Sequence, residues 1–280
     1  MRLRLDIAYD GAPFVGWARQ PGLPSVQESI EAALATLLRL DSVALTVAGR
    51  TDSGVHARGQ VAHADVPREA FAATPGRSDA SPETASLRRL NALLRRAHGG
   101  AVVISRVSEA PDGFDARFSA IWRRYAYRIS DDGAPRDPLS RSHVLWHDRT
   151  LDPEAMHRAA QQLLGEHDFL AYCKPRDGAT TIRTLQRLDV RRCSRDLVKL
   201  EVQADAFCHS MVRALVGSLI AVGEGRADEA MPALRLAART HDGMHVAPAH
   251  GLTLEEVGYP ADPDLATRAA LARNRRDAPC

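Results

Sequence analysis

The chain has 280 residues, 45% hydrophobic and 26% charged, enough to bury a sizeable core as one large domain or two smaller ones, which excludes disordered and fibrous classes. Thirty-seven basic residues against 35 acidic ones leave a net charge of +2, too little by itself to name a polyanionic partner. Lysine occurs only at Lys174 and Lys199, so the other basic residues are arginine, the side chain that forks onto phosphates and stacks on bases.

Met1-Arg2-Leu3-Arg4 runs straight into a strand pattern, so no signal-peptide stretch is expected. Leu3 to Tyr9 alternates as a strand does and stops at the turn signal Asp10-Gly11. Ser25 to Glu28 is a capping box, and Val26, Ile30, Ala33, Leu34, Leu37 and Leu38 follow at helical spacing. Strands are expected at Val43 to Ala48 and Gln60 to Val66. A Pro-, Gly-, Ser- and Asp-rich loop, Thr74 to Glu83, precedes a helix at Ala85 to Ala97 and a strand at Ala101 to Val107. The second half repeats these ingredients: a strand at Trp122 to Ile129, then a helix opened by Asp152-Pro153 and stopped at Gly165, with Met156, Ala160, Leu163 and Leu164 inward. Val198 to Ala206 alternates as a strand with one wet face, and an apolar helix covers Met211 to Val222.

Two α+β halves of similar content predict two domains, 1–113 and 114–260, hinged near Pro111 to Asp115, with 261–280 a flexible tail. The longest mostly apolar stretch, Ala214 to Gly223, falls far short of the ~20 residues that span a bilayer, and a soluble, cytoplasmic protein is expected. Cys173, Cys193, Cys208 and Cys280 are irregularly spaced and read as ordinary thiols. The pairs His143/His147 and His241/His245 lack the Glu of H-E-x-x-H and nearby thiolates, so no metal site is predicted.

The charge is unevenly spread. Leu87 to Arg128 holds nine Arg against three acids (+6), and Cys173 to Lys199 holds eight basic residues against three acids (+5). Against a total of +2, the remaining chain is therefore at −9, and the near-neutral balance conceals two basic segments of the sort that contact a phosphate backbone.

Chemistry concentrates at Val47 to His56, where a strand ends in a polar turn with two glycines, an acid, a base and hydroxyls. Asp52-Ser53-Gly54 taken bare is turn chemistry. Ser53 and His56 lack the G-x-S-x-G elbow of a serine hydrolase. The full string Gly49-Arg50-Thr51-Asp52-Ser53-Gly54-Val55-His56 resembles the G-R-T-D-x-G-V-H signature of the tRNA pseudouridine synthase A family. Further stretches resemble that family in the same order, almost to Pro260: Tyr9-Asp10-Gly11 with Phe14 and Gly16-Trp17, Ala116-Arg117-Phe118-Ser119, Arg123-Arg124-Tyr125-Ala126-Tyr127, Gly165 to Phe169, and Phe207 with His209 and Met211-Val212-Arg213. Ser53 stands where Ala is frequent, Ala18 replaces a frequent Gln, and the stretch from Arg68 to Ser86 is longer than usual.

The resemblance implies an α+β fold of two similar domains with mostly antiparallel sheets flanking a central basic cleft, the pseudouridine synthase fold. It implies conversion of uridine to pseudouridine in the tRNA anticodon stem-loop (positions 38–40), without cofactor, by a homodimer. Residue by residue it assigns the catalytic carboxylate to Asp52, filling of the gap left by the extruded nucleotide to Arg50, stacking on the uracil to Tyr125, and the cation that holds Asp52 ionised to Arg213. It also gives the arginines a place: Arg88, Arg89, Arg95, Arg96, Arg123 and Arg124, with Arg183, Arg187, Arg191 and Arg192, become candidates to line an RNA cleft. Tyr127 is expected to pack in the core instead.

Overall fold

The computed structural model describes residues 1–174, 180–193, 197–240, 243 and 245–273. Along the chain run β1 (Arg2–Tyr9), α1 (Val26–Leu38), β2 (Thr46–Val47), β3 (His56–Asp65), α2 (Arg68–Ala72), α3 (Pro82–His98), β4 (Val102–Glu109), β5 (Trp122–Ser130), β6 (Leu145–Trp146), α4 (Pro153–Gln161), β7 (Gly165–Asp168), β8 (Ile182–Arg192), β9 (Val198–Ala204), α5 (Met211–Gly223), α6 (Met231–Ala238), β10 (Leu252–Gly258) and α7 (Leu265–Arg273). They form two compact units, Met1–Ile121 with Leu254–Arg273, and Trp122–Thr253.

In the first unit the strand order is β4-β1-β3-β10, with the short β2 also on β3. The pairs of β1 with β3 and β4, and of β2 with β3, are antiparallel. Leu3, Leu5, Ile7 and Tyr9 form the buried face of β1, as its alternation requires. Helix α1 starts where the capping box places it: Ser25 is extended and its side chain accepts from the Glu28 amide at 3.3 Å. The Glu28 carboxylate pairs with Arg19. Helix α3 is capped by Ser81, opened by Pro82 and closed by Gly99 in the left-handed region, and Arg95, Arg96 and His98 sit in its last turn, where cations offset the helix dipole.

The second unit runs β5-β9-β8-β7, antiparallel throughout, with β6 beside β5 in parallel. Helices α4 and α5 pack together, and α4 packs on β8. The core here includes Tyr127, Met156, Leu163, Leu188, Leu200, Val202, Leu215 and Leu219.

The first unit runs to Ile121, and Pro111 to Asp115 lies within it. Phe114 O accepts from Arg2 (2.6 Å), and Asp115 caps the amides of Arg117 and Phe118. His63 Nδ1 accepts from the Ala116 amide (3.0 Å), with burial holding the His63 ring below its ordinary pKa and hence neutral. Beyond Pro260 the chain forms α7. Leu265 and Ala269 are buried, Arg273 reaches Asp115 and lies over the Phe118 ring, and Ser119 donates to Leu265 O. Residues 274–280, including Arg275 and Arg276, lie outside the described residues.

The second strand shrinks to two residues, and β3 begins at His56, not Gln60. Helix α4 ends at Gln161, before Leu163 and Leu164; Leu163 is still buried, but Leu164 is only half-buried. Cys173 and Cys208, far apart in the sequence, are neighbours in space, their Cα atoms 5.7 Å apart. His143 and His147 share no helix, and His147 pairs with Glu224 (2.8 Å). His241 lies outside the described residues.

Candidate active site

In the first unit the Gly49–Val55 loop joins β2 to β3. The Val55 amide returns to Asp52 O (3.2 Å) and Gly54 has φ +76°, the geometry that a turn with a left-handed third residue needs and that glycine meets without strain. Asp52 opens this turn and is half-buried; Arg50 is exposed.

The loop is gripped from outside by the segment that follows β1. Trp17 N donates to Thr51 O (3.0 Å), Ser53 Oγ to Phe14 O (3.4 Å), and the Gly11 amide to His56 Nδ1 (3.0 Å). Gly11 and Gly16 let two backbones touch: a Cβ on Gly11 would sit 2.1 Å from Val55 O, and one on Gly16, at φ +110°, would sit 2.9 Å from Thr51 O. From the sheet side, fully buried Gln60 donates to Gly49 O (2.8 Å) and to the Tyr9 hydroxyl (3.3 Å), which in turn lies 2.7 Å from Thr51 Oγ1. Burial pushes the Tyr9 phenol up to about 12, so its proton stays in place throughout the neutral range.

In the second unit Tyr125 lies on β5 opposite Val202, buried, with the Phe207 ring edge-on at 5.2 Å. Phe207 precedes Cys208, which lies beside Cys173, and Lys174 N donates to His209 O (3.0 Å), so the approach to α5 is held against the segment ending at Lys174. Arg213 lies in the first turn of α5. Its Nε donates to Ala247 O (2.7 Å), while the Ala247 amide returns to Arg213 O (3.0 Å). Gly217 allows this approach, since a Cβ there would meet His245 O at 2.2 Å. Tyr127 is fully buried with its hydroxyl on Pro248 O (2.8 Å), the core role expected for it.

The arginine candidates divide. Arg88, Arg89, Arg95 and Arg96 are exposed on α3, though Arg89 also donates to Thr74 O. Arg124 is half-buried with its guanidinium 6.0 Å from the Trp122 ring centre. Arg123 is buried and donates to Asp205 O (2.7 Å). Arg183 folds back onto the carbonyls of Thr180 and Ile182. Arg192 makes a two-pronged pair with the fully buried Asp131, while Arg187, Arg191 and Lys199 converge on Glu201 and Arg187 also holds Asp189. Of the described basic residues in the second segment, Arg187, Arg191, Arg192 and Lys199 are thus paired with carboxylates, two of which, Asp131 and Glu201, lie outside it. Asp52 and Arg50 belong to the first unit, Tyr125 and Arg213 to the second. Gln60 was missed in the sequence; its one signal is an amide side chain beside the apolar run from Val61.

The sequence pattern of tRNA pseudouridine synthases matches residues 159–260, the part of the chain that carries Arg213 and Phe207. Full-length relatives are similar throughout. A tRNA pseudouridine synthase A of Streptomyces griseus is 55% identical over all of this chain and 95% of its own length, one of Frankia casuarinae 55% identical over all of this chain and 97% of its own, and one of Mycobacterium leprae 45% identical over 99% and 96%. The chain belongs to the tRNA pseudouridine synthase A family.

Proposed function

We propose that the chain isomerises uridine to pseudouridine in the anticodon stem-loop of tRNA, at positions 38–40, with Asp52 as the catalytic carboxylate. What carries this reading is similarity along the whole chain to synthases of that name, together with an Asp52 loop whose backbone is held from two sides. The reaction cuts the bond from uracil N1 to ribose C1′, turns the base in the site and joins C5 to C1′, so it needs no redox partner or group donor. Asp52 either adds to the sugar or base or takes a proton from the ribose. Arg50, exposed two residues before Asp52, fills the gap left by the extruded nucleotide. Arg213 is the cation that favours the ionised carboxylate. The enzyme works as a cytoplasmic homodimer that touches tRNA with both subunits. Among the described residues no helix is long and apolar enough to cross a membrane.

The direct test is tritium release from tRNA labelled at uridine C5, followed by mapping of the modified positions. No release by the wild-type chain leaves a tRNA-binding protein without catalysis, and modification elsewhere overturns the anticodon assignment.

Tyr125 is proposed to stack on the uracil, an interaction worth ~1–3 kcal/mol per base. Tyr125→Phe is expected to keep measurable tritium release and Tyr125→Leu to lose most of it. A leucine variant as active as wild type removes the stacking role. Phosphate contacts by the exposed α3 arginines predict steep salt dependence. With about four such contacts, tRNA affinity falls on the order of 100-fold between 50 and 200 mM salt. An Arg95→Ala/Arg96→Ala variant should show a shallower slope in the same titration, and a flat wild-type response removes the argument.

A further inference from the structure

We infer that Gln60, Tyr9 and Thr51 form one positioning relay that sets the backbone around Arg50 and Asp52 for catalysis. The inference rests on Asp52 being the catalytic carboxylate.

The three side chains are buried and come from different places: Tyr9 ends β1, Gln60 lies within β3, and Thr51 is in the loop itself. The Gln60 amide spends one hydrogen on Gly49 O and one on the Tyr9 oxygen. The Tyr9 hydroxyl accepts that bond and shares a hydrogen bond with Thr51 Oγ1 at 2.7 Å. Arg50 is therefore bracketed, with the residue before it held through its carbonyl and the residue after it through its hydroxyl. Thr51 is in turn the residue bonded to Asp52, and its carbonyl takes the Trp17 amide. A loop with little regular structure of its own thus acquires fixed points on either side of the one residue that must swing toward RNA. The Gln60 carbonyl oxygen lies 3.2 Å from the Val61 amide, which keeps the head group from turning over.

None of the three needs to touch the substrate to do this. Their contribution is geometric, and a displacement of about 1 Å at a reacting group can lower a rate by about 100-fold. Overall tRNA affinity, carried mainly by the exposed α3 arginines, should change little.

Single-turnover and steady-state tritium release would be measured for the full chain carrying Tyr9→Phe, Thr51→Val, Thr51→Ser and the Tyr9→Phe/Thr51→Val pair. Expected are kcat losses of about 10- to 100-fold for Tyr9→Phe and Thr51→Val with KM for tRNA unchanged. The pair should lose no more than the worse single variant, because both break the same link. Thr51→Ser, which restores the hydroxyl, should recover most of the rate. Thermal unfolding of each variant, beside a helix-cap control Ser25→Ala, separates positioning from lost stability. The inference is overturned if Tyr9→Phe keeps wild-type kcat, if the two losses multiply, or if kcat falls only in proportion to the fraction unfolded. A wild-type chain without tritium release instead defeats the catalytic reading on which the inference stands.

Discussion

Asp52→Asn is expected to lower pseudouridine formation by about 10⁴-fold, the upper end of what a positioned acid or base contributes, while tRNA affinity and unfolding temperature remain at wild-type values. Asparagine has nearly the same shape. Hydrogen bonds at Gly49 O, Thr51 Oγ1, Thr51 O, Ser53 Oγ and the Val55 amide hold the loop without the Asp52 carboxylate, and these persist through the exchange. What disappears is the negative charge and the basic lone pair that either chemical route requires. Asp52→Glu keeps the charge but moves it one methylene outward from a fixed backbone, and should lose about 100-fold. Tritium release from C5-labelled tRNA checks both. An Asn variant within tenfold of wild type would falsify the assignment of the carboxylate.

Gly11→Ala should be the most damaging small change outside Asp52. Its Cβ would fall 2.1 Å from Val55 O and 2.5 Å from Val55 C, both backbone atoms that no rotamer change can withdraw. Either the segment after β1 or the Asp52 turn must shift, at about 1–3 kcal/mol in overpacking, with activity lost beyond what the fraction folded explains. Gly16→Ala meets Thr51 O at 2.9 Å and is further strained at φ +110°. Gly22→Ala isolates the strain alone: φ is +72° but nothing lies within 4 Å, so it should be mildly destabilising and fully active. Denaturation midpoints and tritium release on the three variants test the ranking; a Gly11→Ala chain as stable and active as Gly22→Ala would remove the close backbone contact from the account.

Where local pattern and local structure coincide, the chain was legible. Ser25 through Leu38 carries its cap and its apolar stripe within one segment, and α1 appears at those residues. Strand β8 shows the opposite. Leu185 and Leu188 are both buried three residues apart because the register against β9 shifts between Leu185 and Arg187, and the bulge hides the two-residue period that marks a strand. The segment from Leu254 was equally opaque, since its strand completes the first unit after a long excursion through the second.

The +2 net charge illustrates the same division. Sequence alone determined that basic charge is concentrated in two segments, that no long apolar span is present, and that Asp52 sits in a motif whose residue types and order identify the family. Those are properties of neighbours along the chain. Only the tertiary structure decided which arginines remain exposed and which are spent: Arg192 on Asp131 across 61 residues, Arg123 on Asp205 O across 82, while the α3 arginines face outward. It likewise decided that Gln60 and Tyr9 brace the Asp52 loop, a link spanning 51 residues. Burial forces polar groups to find partners, and the partner is chosen by whichever strands the fold sets side by side, which a local pattern does not encode.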